Sequence, residues 1–330
     1  MPGPWRAAAR TPTPVRPSRA VRLAAVGSLL ALVVVVALLT DALVVVQRIP
    51  TIAVHVPTSD GSQVYLLLAS DSRQRLEGAD RQRYADPVQA QGERADLIYL
   101  LRTGGHGGAA LLSVPRDLYV GTHDHDPHRV GMTLQLGPQA MVDSMCRDLG
   151  VGVDHVVIAD FVGLIDAVDA AGGITVTTEG PVRDLGSGLN LPTAGSHHLG
   201  GAQALAWVRS RHPEVRRAGR WVPDAAADPT RSSHASQVMR QLADAVANPL
   251  TAQQMAWSAA PRLRRDSGSS LVTLTGLLWG LHQATAAGRV GTVPARFSPT
   301  EVPVAFMDAR SRAALAPFLS STCSRGRLGP

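Results

Sequence analysis

Residues 23–40 pass without a single charge, and no other feature limits so strongly what the chain can become. As an α-helix those 18 residues would span about 27 Å, close to the hydrocarbon thickness of a bilayer. The apolar character resumes past Asp41 through residues 42–46. A cleavable signal has a shorter apolar stretch, of about 7–15 residues, and a small-residue cleavage site, which is not evident here. The run therefore reads as an uncleaved transmembrane anchor. Arg6, Arg10, Arg16, Arg19 and Arg22 precede it. Basic residues before a span stay on the cytoplasmic side, so residues 49–330 are expected outside the cytoplasm, on the cell-wall side of a single-pass membrane protein.

Those same arginines account for most of the formal net charge of +6. Beyond Arg48 there are 26 arginines against 25 acidic residues, so the part expected to fold is nearly neutral. That balance argues against a nucleic-acid partner. All 32 basic residues are arginine, which alongside abundant alanine and glycine reads as codon bias. Arginine placement is therefore informative and arginine abundance is not. The absence of lysine also excludes a Walker-type phosphate site.

The chain divides into a disordered basic cytoplasmic tail (1–22), the transmembrane helix (23–46), a polar juxtamembrane spacer (47–62), one extracytoplasmic domain (63–322) and a C-terminal tail (323–330). Within the domain, short apolar runs at 64–69, 97–102, 110–114, 155–159, 174–178 and 290–293 read as strands. Helical patterns cover 161–171, 202–208, 237–246, 252–263 and 271–287. This is an α/β pattern, a central sheet core covered by helices. Two long loops, 80–92 and 213–229, stand out, and length alone marks such segments as lids or binding loops. Cys146 and Cys323 are the two cysteines, and outside the cytoplasm a disulfide between them is the expectation.

Arginine and aspartate recur beside the apolar runs. Asp71 and Arg73, Arg94 and Asp96, and Arg209 and Arg211 are each two residues apart, so on extended backbone each pair projects from one face. Arg116 follows Pro115 at the end of a buried-looking strand, and Asp228 and Arg231 share one segment. Arginine forks with carboxylates at neighbouring strand ends suit a polyanion and a divalent metal, a pyrophosphate above all. The histidine-rich residues 122–128 lack metal-site spacing and read as a solvated loop, and no nucleophile elbow is present.

YLLLASDSR (65–73), ERADLIYLLR (93–102), SVPRDLYV (113–120), DHVVIADFVGLIDAVDAAGGITV (154–176) and LGGAQALAWVRSR (199–211) together resemble the LytR–CpsA–Psr proteins of bacterial envelopes. The resemblance covers roughly residues 62–247 and includes the N-terminal span. It implies an α-β-α fold with a tunnel for a polyprenyl chain, and a phosphotransferase that moves a glycopolymer from a polyprenyl pyrophosphate carrier to a peptidoglycan hydroxyl with Mg²⁺. By position it implies that Arg73, Arg94, Arg116, Arg209, Arg211 and Arg231 grip the substrate and that Asp71 and Asp96 hold the metal. Asp228 would orient Arg231 or take the acceptor's proton. Two departures bear on acceptor positioning: the family's Arg-x-x-Arg-Gln reads Arg231-Ser-Ser-His234-Ala235 here, and Gly131 stands where asparagine is usual. A non-catalytic envelope protein that binds lipid-linked polyphosphates and a polyprenyl pyrophosphate hydrolase are the alternatives.

Overall fold

Residues 64–69 are apolar without interruption, so a strand built from them must be covered on both faces. The computed structural model, which describes residues 18–56, 62–71, 93–105, 107–121, 127–210, 212–224, 227–298 and 304–324, places this strand near the middle of the main sheet. The chain forms two units, residues 1–44 and 45–330. The first is dominated by helix α1 (Arg19–Gln47), whose part Ala25–Gln47 is long and apolar enough to cross a membrane. It fits a single-pass anchor.

The second unit opens with strands β1 (Thr51–Ile52), β2 (Gln63–Ser70), β3 (Ala95–Thr103) and β4 (Ala110–Ser113). A short pair, β5 (Tyr119–Val120) and β6 (His128–Arg129), leads to helix α2 (Pro138–Leu149), strand β7 (His155–Asp160) and helix α3 (Phe161–Ala170). Strands β8 (Ile174–Thr178), β9 (Val182–Asp184), β10 (Leu189–Leu191) and β11 (Gly195–Leu199) precede helix α4 (Gly201–Arg209). Then come strands β12 (Glu214–Arg217) and β13 (Arg220–Pro223), helices α5 (Ala227–Ala245) and α6 (Pro249–Ala259), strand β14 (Leu263–Asp266), helix α7 (Leu271–Ala286) and strand β15 (Val290–Thr292).

The main sheet runs β1-β14-β7-β2-β3-β4-β15, with β2 parallel to β7 and antiparallel to β3. Side chains alternate across it. Val64, Leu66 and Leu68 pack with Ile98, Leu100 and the α2 residues Met141, Val142 and Met145. Tyr65, on the other face, packs with Leu101 and the α7 residues Leu277 and Ala284. A second core joins α3, β8, α4 and α5 through Val168, Ile174, Val176, Ala204, Trp207, Val238 and Leu242. Helices α3 and α4 approach closely because Gly201 has no side chain; a Cβ there would lie 2.3 Å from the Ile165 carbonyl. Cys146 on α2 is bonded to Cys323, 177 residues later, which fastens the C-terminal segment to the first core; closing a loop of that length stabilises by about 5 kcal/mol in the chain-entropy account.

Three sequence expectations need correction. The spacer 47–62 is not wholly outside the domain: Arg48 stacks over Trp257 at 4.7 Å and β1 pairs in parallel with β14. Two residues carry no readable period, so this strand is dictated by its partner's edge. Helix 252–263 is too long, because Leu263 starts β14, a strand hidden in sequence by three consecutive charged residues. The loop 213–229 contains the β12–β13 hairpin and the first turn of α5, its period-two signal masked by arginines. The other long loop, 80–92, lies outside the described residues, as do histidine-cluster residues 122–126.

Beneath the edge of the sheet, the buried Asp266 carboxylate accepts hydrogen bonds from the Val156 and Gly268 amides (3.0 and 2.9 Å) and from Ser269 Oγ, and faces His155 Nδ1 at 3.5 Å. Burial alone would raise its pKa, but the His155, Ser269 and Val156 donors outweigh that and bring it down to about 2 from 3.8. A folded-state pKa below the unfolded one means that this stabilisation is fully present above about pH 4 and drains away as pH falls through about 2. Asp266→Asn should therefore cost about 2 kcal/mol at pH 7, with the gap to the parent closing towards pH 2. Urea melts across that range check it; a gap that persists at pH 2 would contradict the linkage.

Candidate functional site

Strand β2 ends at Ser70 and delivers Asp71 to the sheet's carboxyl edge. Its backbone amide donates to the Arg94 carbonyl (3.0 Å), and its Oδ1 accepts from the Arg94 amide (2.7 Å). The β2–β3 register then slips: Ala69 faces Leu97 while Ser70 faces Ala95, leaving Asp96 as an extra residue. A bulge of this kind re-aims side chains, and here Asp96 is directed to the mouth of the sheet. The chain leaving β4 turns sharply at Pro115, with Leu118 N donating to the Pro115 carbonyl (3.0 Å). Arg116 and Asp117 are the two central residues of that turn.

These elements enclose a cleft of about 360 Å³ lined by Asp71, Arg94, Asp96, Arg116, Asp117, Arg129, Gly131, Asp184, Ser187, Arg209 and His212, among others. Arg116 is ion-paired with Asp96, and Asp117 lies between Arg116 Nε (3.7 Å) and Arg129 (3.4 Å). The Arg94 and Arg209 side chains make no hydrogen bond or ion pair among the described residues. Two guanidiniums are thus uncommitted in a cleft where Arg116 and Arg129 are already paired with Asp96 and Asp117. The arrangement favours an anion with several oxygens.

Asp184 is the residue sequence reading missed. It is 2% exposed and accepts from Ser210 Oγ (2.9 Å) and from the amides of His212 (2.9 Å), Gly186 (2.9 Å) and Ser187 (3.2 Å). One carboxylate therefore braces the segment just after Arg209 against the β9–β10 turn. Asp117 and Arg129 were missed too, although the adjacent Pro115-Arg116-Asp117 sequence offered a signal for the first.

Of the residues singled out from sequence, Asp71, Arg94, Asp96, Arg116 and Arg209 line one cleft. Arg73 and Arg211 lie outside the described residues. Asp228 and Arg231 fall in the first turns of α5, and their side chains are not among those described. That helix is tied to α4 through a departure from the family pattern. The His234 ring stacks on Trp207 (centroids 3.8 Å apart, planes at 25°), and its Nδ1–H donates to the Trp207 carbonyl (3.3 Å). Burial pushes the His234 pKa down, so the neutral ring is favoured. The other departure has a steric cause: a Cβ on Gly131 would come 2.7 Å from the Ala95 carbonyl and 2.9 Å from Arg116 Cβ. Asparagine at 131 would displace the turn that carries Arg116.

Hard oxygen donors suited to Mg²⁺ are present in Asp71 and Asp96. No group of three or more His, Cys, Asp or Glu close enough to hold a metal occurs among the described residues. Mg²⁺ is usually held by one or two carboxylates plus substrate phosphates rather than by an all-protein cage, and this donor set fits that manner of binding.

The chain matches the model of the LytR_cpsA_psr family over residues 44–285. It belongs to that family. A solved LytR-Csp2A-Psr enzyme from Actinomyces oris is 31% identical and superposes with a TM-score of 0.67, over 83% of this chain and 97% of that one; the sheet core covered by helices is the fold of that structure. The probable cell wall biosynthesis protein LcpB of Corynebacterium glutamicum is 33% identical over 162 residues, 49% of this chain and 39% of its own length. The polyisoprenyl-teichoic acid–peptidoglycan teichoic acid transferase TagT of Bacillus subtilis is 32% identical over 117 residues, 31% of this chain and 34% of its own. The chain therefore spans less than half the length of these two curated relatives.

Proposed function

We propose that this LytR–CpsA–Psr protein is a membrane-anchored phosphotransferase. It would move a glycopolymer from a polyprenyl pyrophosphate carrier onto a peptidoglycan hydroxyl on the cell-wall side of the membrane. The observation that carries this reading is the cleft in which the uncommitted guanidiniums of Arg94 and Arg209 stand beside Asp71 and Asp96. Relatives named for cell wall biosynthesis and teichoic acid transfer support it.

In the reaction, the acceptor oxygen bonds to the phosphorus nearest the glycan and the bridging P–O bond to the carrier breaks, so polyprenyl phosphate leaves. Arg94, Arg116 and Arg209 orient the pyrophosphate and meet the charge that grows on its oxygens; Arg73, Arg211 and Arg231 are assigned to the same grip. Asp228 orients Arg231 or takes the acceptor's proton. Phosphoryl transfer depends on positioning and charge neutralisation more than on covalent help, and arginine forks supply both. Mg²⁺, when bound by Asp71 and Asp96, would neutralise phosphate charge there.

Full-length protein in nanodiscs, given polyprenyl-pyrophosphate glycan and a peptidoglycan fragment, tests the reading. A phosphodiester conjugate supports it; free phosphorylated glycan would mean a hydrolase, and no turnover a binding protein. Asp71→Asn and Asp96→Asn should each abolish Mg²⁺-dependent turnover while leaving the fold intact, with a lower melting temperature for Asp96→Asn, which weakens the ion pair with Arg116. Metal dependence retained in both would remove the metal assignment.

A further inference from the structure

The tip of the β12–β13 hairpin carries a cost that nothing in the central cleft explains. Arg217 and Arg220 are direct cross-strand partners, and like charges set opposite one another destabilise a strand pair. Both are exposed, and neither has a hydrogen-bond or ion-pair partner among the described residues. The turn between them holds Ala218 at φ 48°, the one non-glycine with positive φ among the described residues, followed by Gly219 at φ 78°. Such two-residue turns favour asparagine, aspartate or glycine in the first position, and alanine there is strained. Between residues 214 and 223 the only carboxylate is Glu214, which is taken by Arg183 at 2.7 Å. The Arg183 guanidinium also lies over the Trp221 ring at 4.4 Å, stiffening the face opposite Arg217 and Arg220.

The hairpin is continuous with the cleft. Strand β12 starts two residues after His212, which lines the cleft, and it pairs with β9 just before the bracing Asp184. From His212 to Arg217 is five residues of chain, about 17 Å if extended. Neither arginine lines the cleft, and that contour keeps both within reach of a polymer leaving it.

We propose that Arg217 and Arg220 form a second anion subsite, which grips a phosphate or carboxylate borne by a repeat unit of the glycopolymer outside the cleft. The pair of forks would select anionic polymers over neutral ones. An anion held between the two guanidiniums offsets their repulsion. The assignment rests on the transfer reading of the cleft, but its test does not use turnover.

Full-length protein in phosphatidylcholine nanodiscs would be titrated with a short poly(glycerol phosphate) oligomer and, separately, with inorganic pyrophosphate. In Arg217→Gln/Arg220→Gln, oligomer affinity should fall about ten-fold and its salt dependence should become shallower. Pyrophosphate affinity should be unchanged, and the melting temperature equal to or above the parent's because the like-charge pair is gone. Arg217→Lys/Arg220→Lys should keep most of the oligomer affinity. Parent-like oligomer binding in the glutamine pair overturns the proposal, and so does an equal loss in the lysine pair, which would mark the effect as structural. Retained oligomer binding with lost adhesion to phosphatidylglycerol vesicles would assign the hairpin to the membrane instead. If the parent forms no conjugate yet the oligomer results hold, the transfer reading fails while the subsite stands.

Discussion

Asp184→Ala should lower the melting temperature by roughly 6–12 °C and abolish transfer. The carboxylate is buried and serves the Ser210 hydroxyl and the amides of Gly186, Ser187 and His212. Alanine leaves those donors without their acceptor in a site that water reaches poorly, at a cost of about 3 kcal/mol. The loss of transfer has a separate cause. Arg209 is the last residue of α4, and Ser210 and His212, which flank the next arginine, are held by this one side chain. Freed of it, the segment no longer holds the Arg209 guanidinium in the cleft in one geometry, and phosphoryl transfer is sensitive to such displacement. Asp184→Asn keeps one carbonyl oxygen and should fall between parent and alanine in both measurements. If Asp184→Ala melts like the parent, the brace has no structural weight. If it melts lower but transfers normally per folded molecule, Asp184 does not position Arg209.

The elements that sequence reading found are those whose burial is two-sided or strongly periodic. Strands β2, β3 and β7 are continuous apolar runs, and α3 and α7 have the length and stop signals of helices, so their residues had few alternatives. Among the strands that escaped, β12, β13 and β14 are short and each carries arginine, and their pairing is decided by the edge they meet rather than by their own pattern. The site shows the same division. Asp71, Arg94, Asp96, Arg116 and Arg209 were legible because they sit beside apolar strands and helices. The equal spacing of Arg94 and Asp96 suggested a regular strand, whereas a bulge at Asp96 delivers that carboxylate. No one-dimensional pattern marks a register slip. Asp184 was invisible for a related reason. Its donors at Gly186, Ser187, Ser210 and His212 come from two segments that only the fold brings together.

Arg209→Lys should reduce transfer about 100-fold, or about 2.7 kcal/mol of transition-state stabilisation, while weakening ground-state binding of the lipid pyrophosphate far less. Arg209 reaches the cleft from the end of α4 with no partner among the described residues, so its whole fork is available to the substrate. Lysine keeps the charge but presents a single ammonium in place of two parallel N–H donors. Charge alone supports much of the ground-state attraction, whereas the fork matters most where charge develops on the phosphoryl oxygens. Arg116 provides the internal contrast. It is already paired with Asp96 and close to Asp117, so Arg116→Lys should perturb folding as well as transfer, and its melting temperature should drop where that of Arg209→Lys does not. Single-turnover rates and lipid pyrophosphate affinity, measured side by side on variants of known melting temperature, decide the matter. A transfer rate for Arg209→Lys within a few-fold of the parent would mean that the fork is not used, and that Arg209 serves the cleft as a charge only.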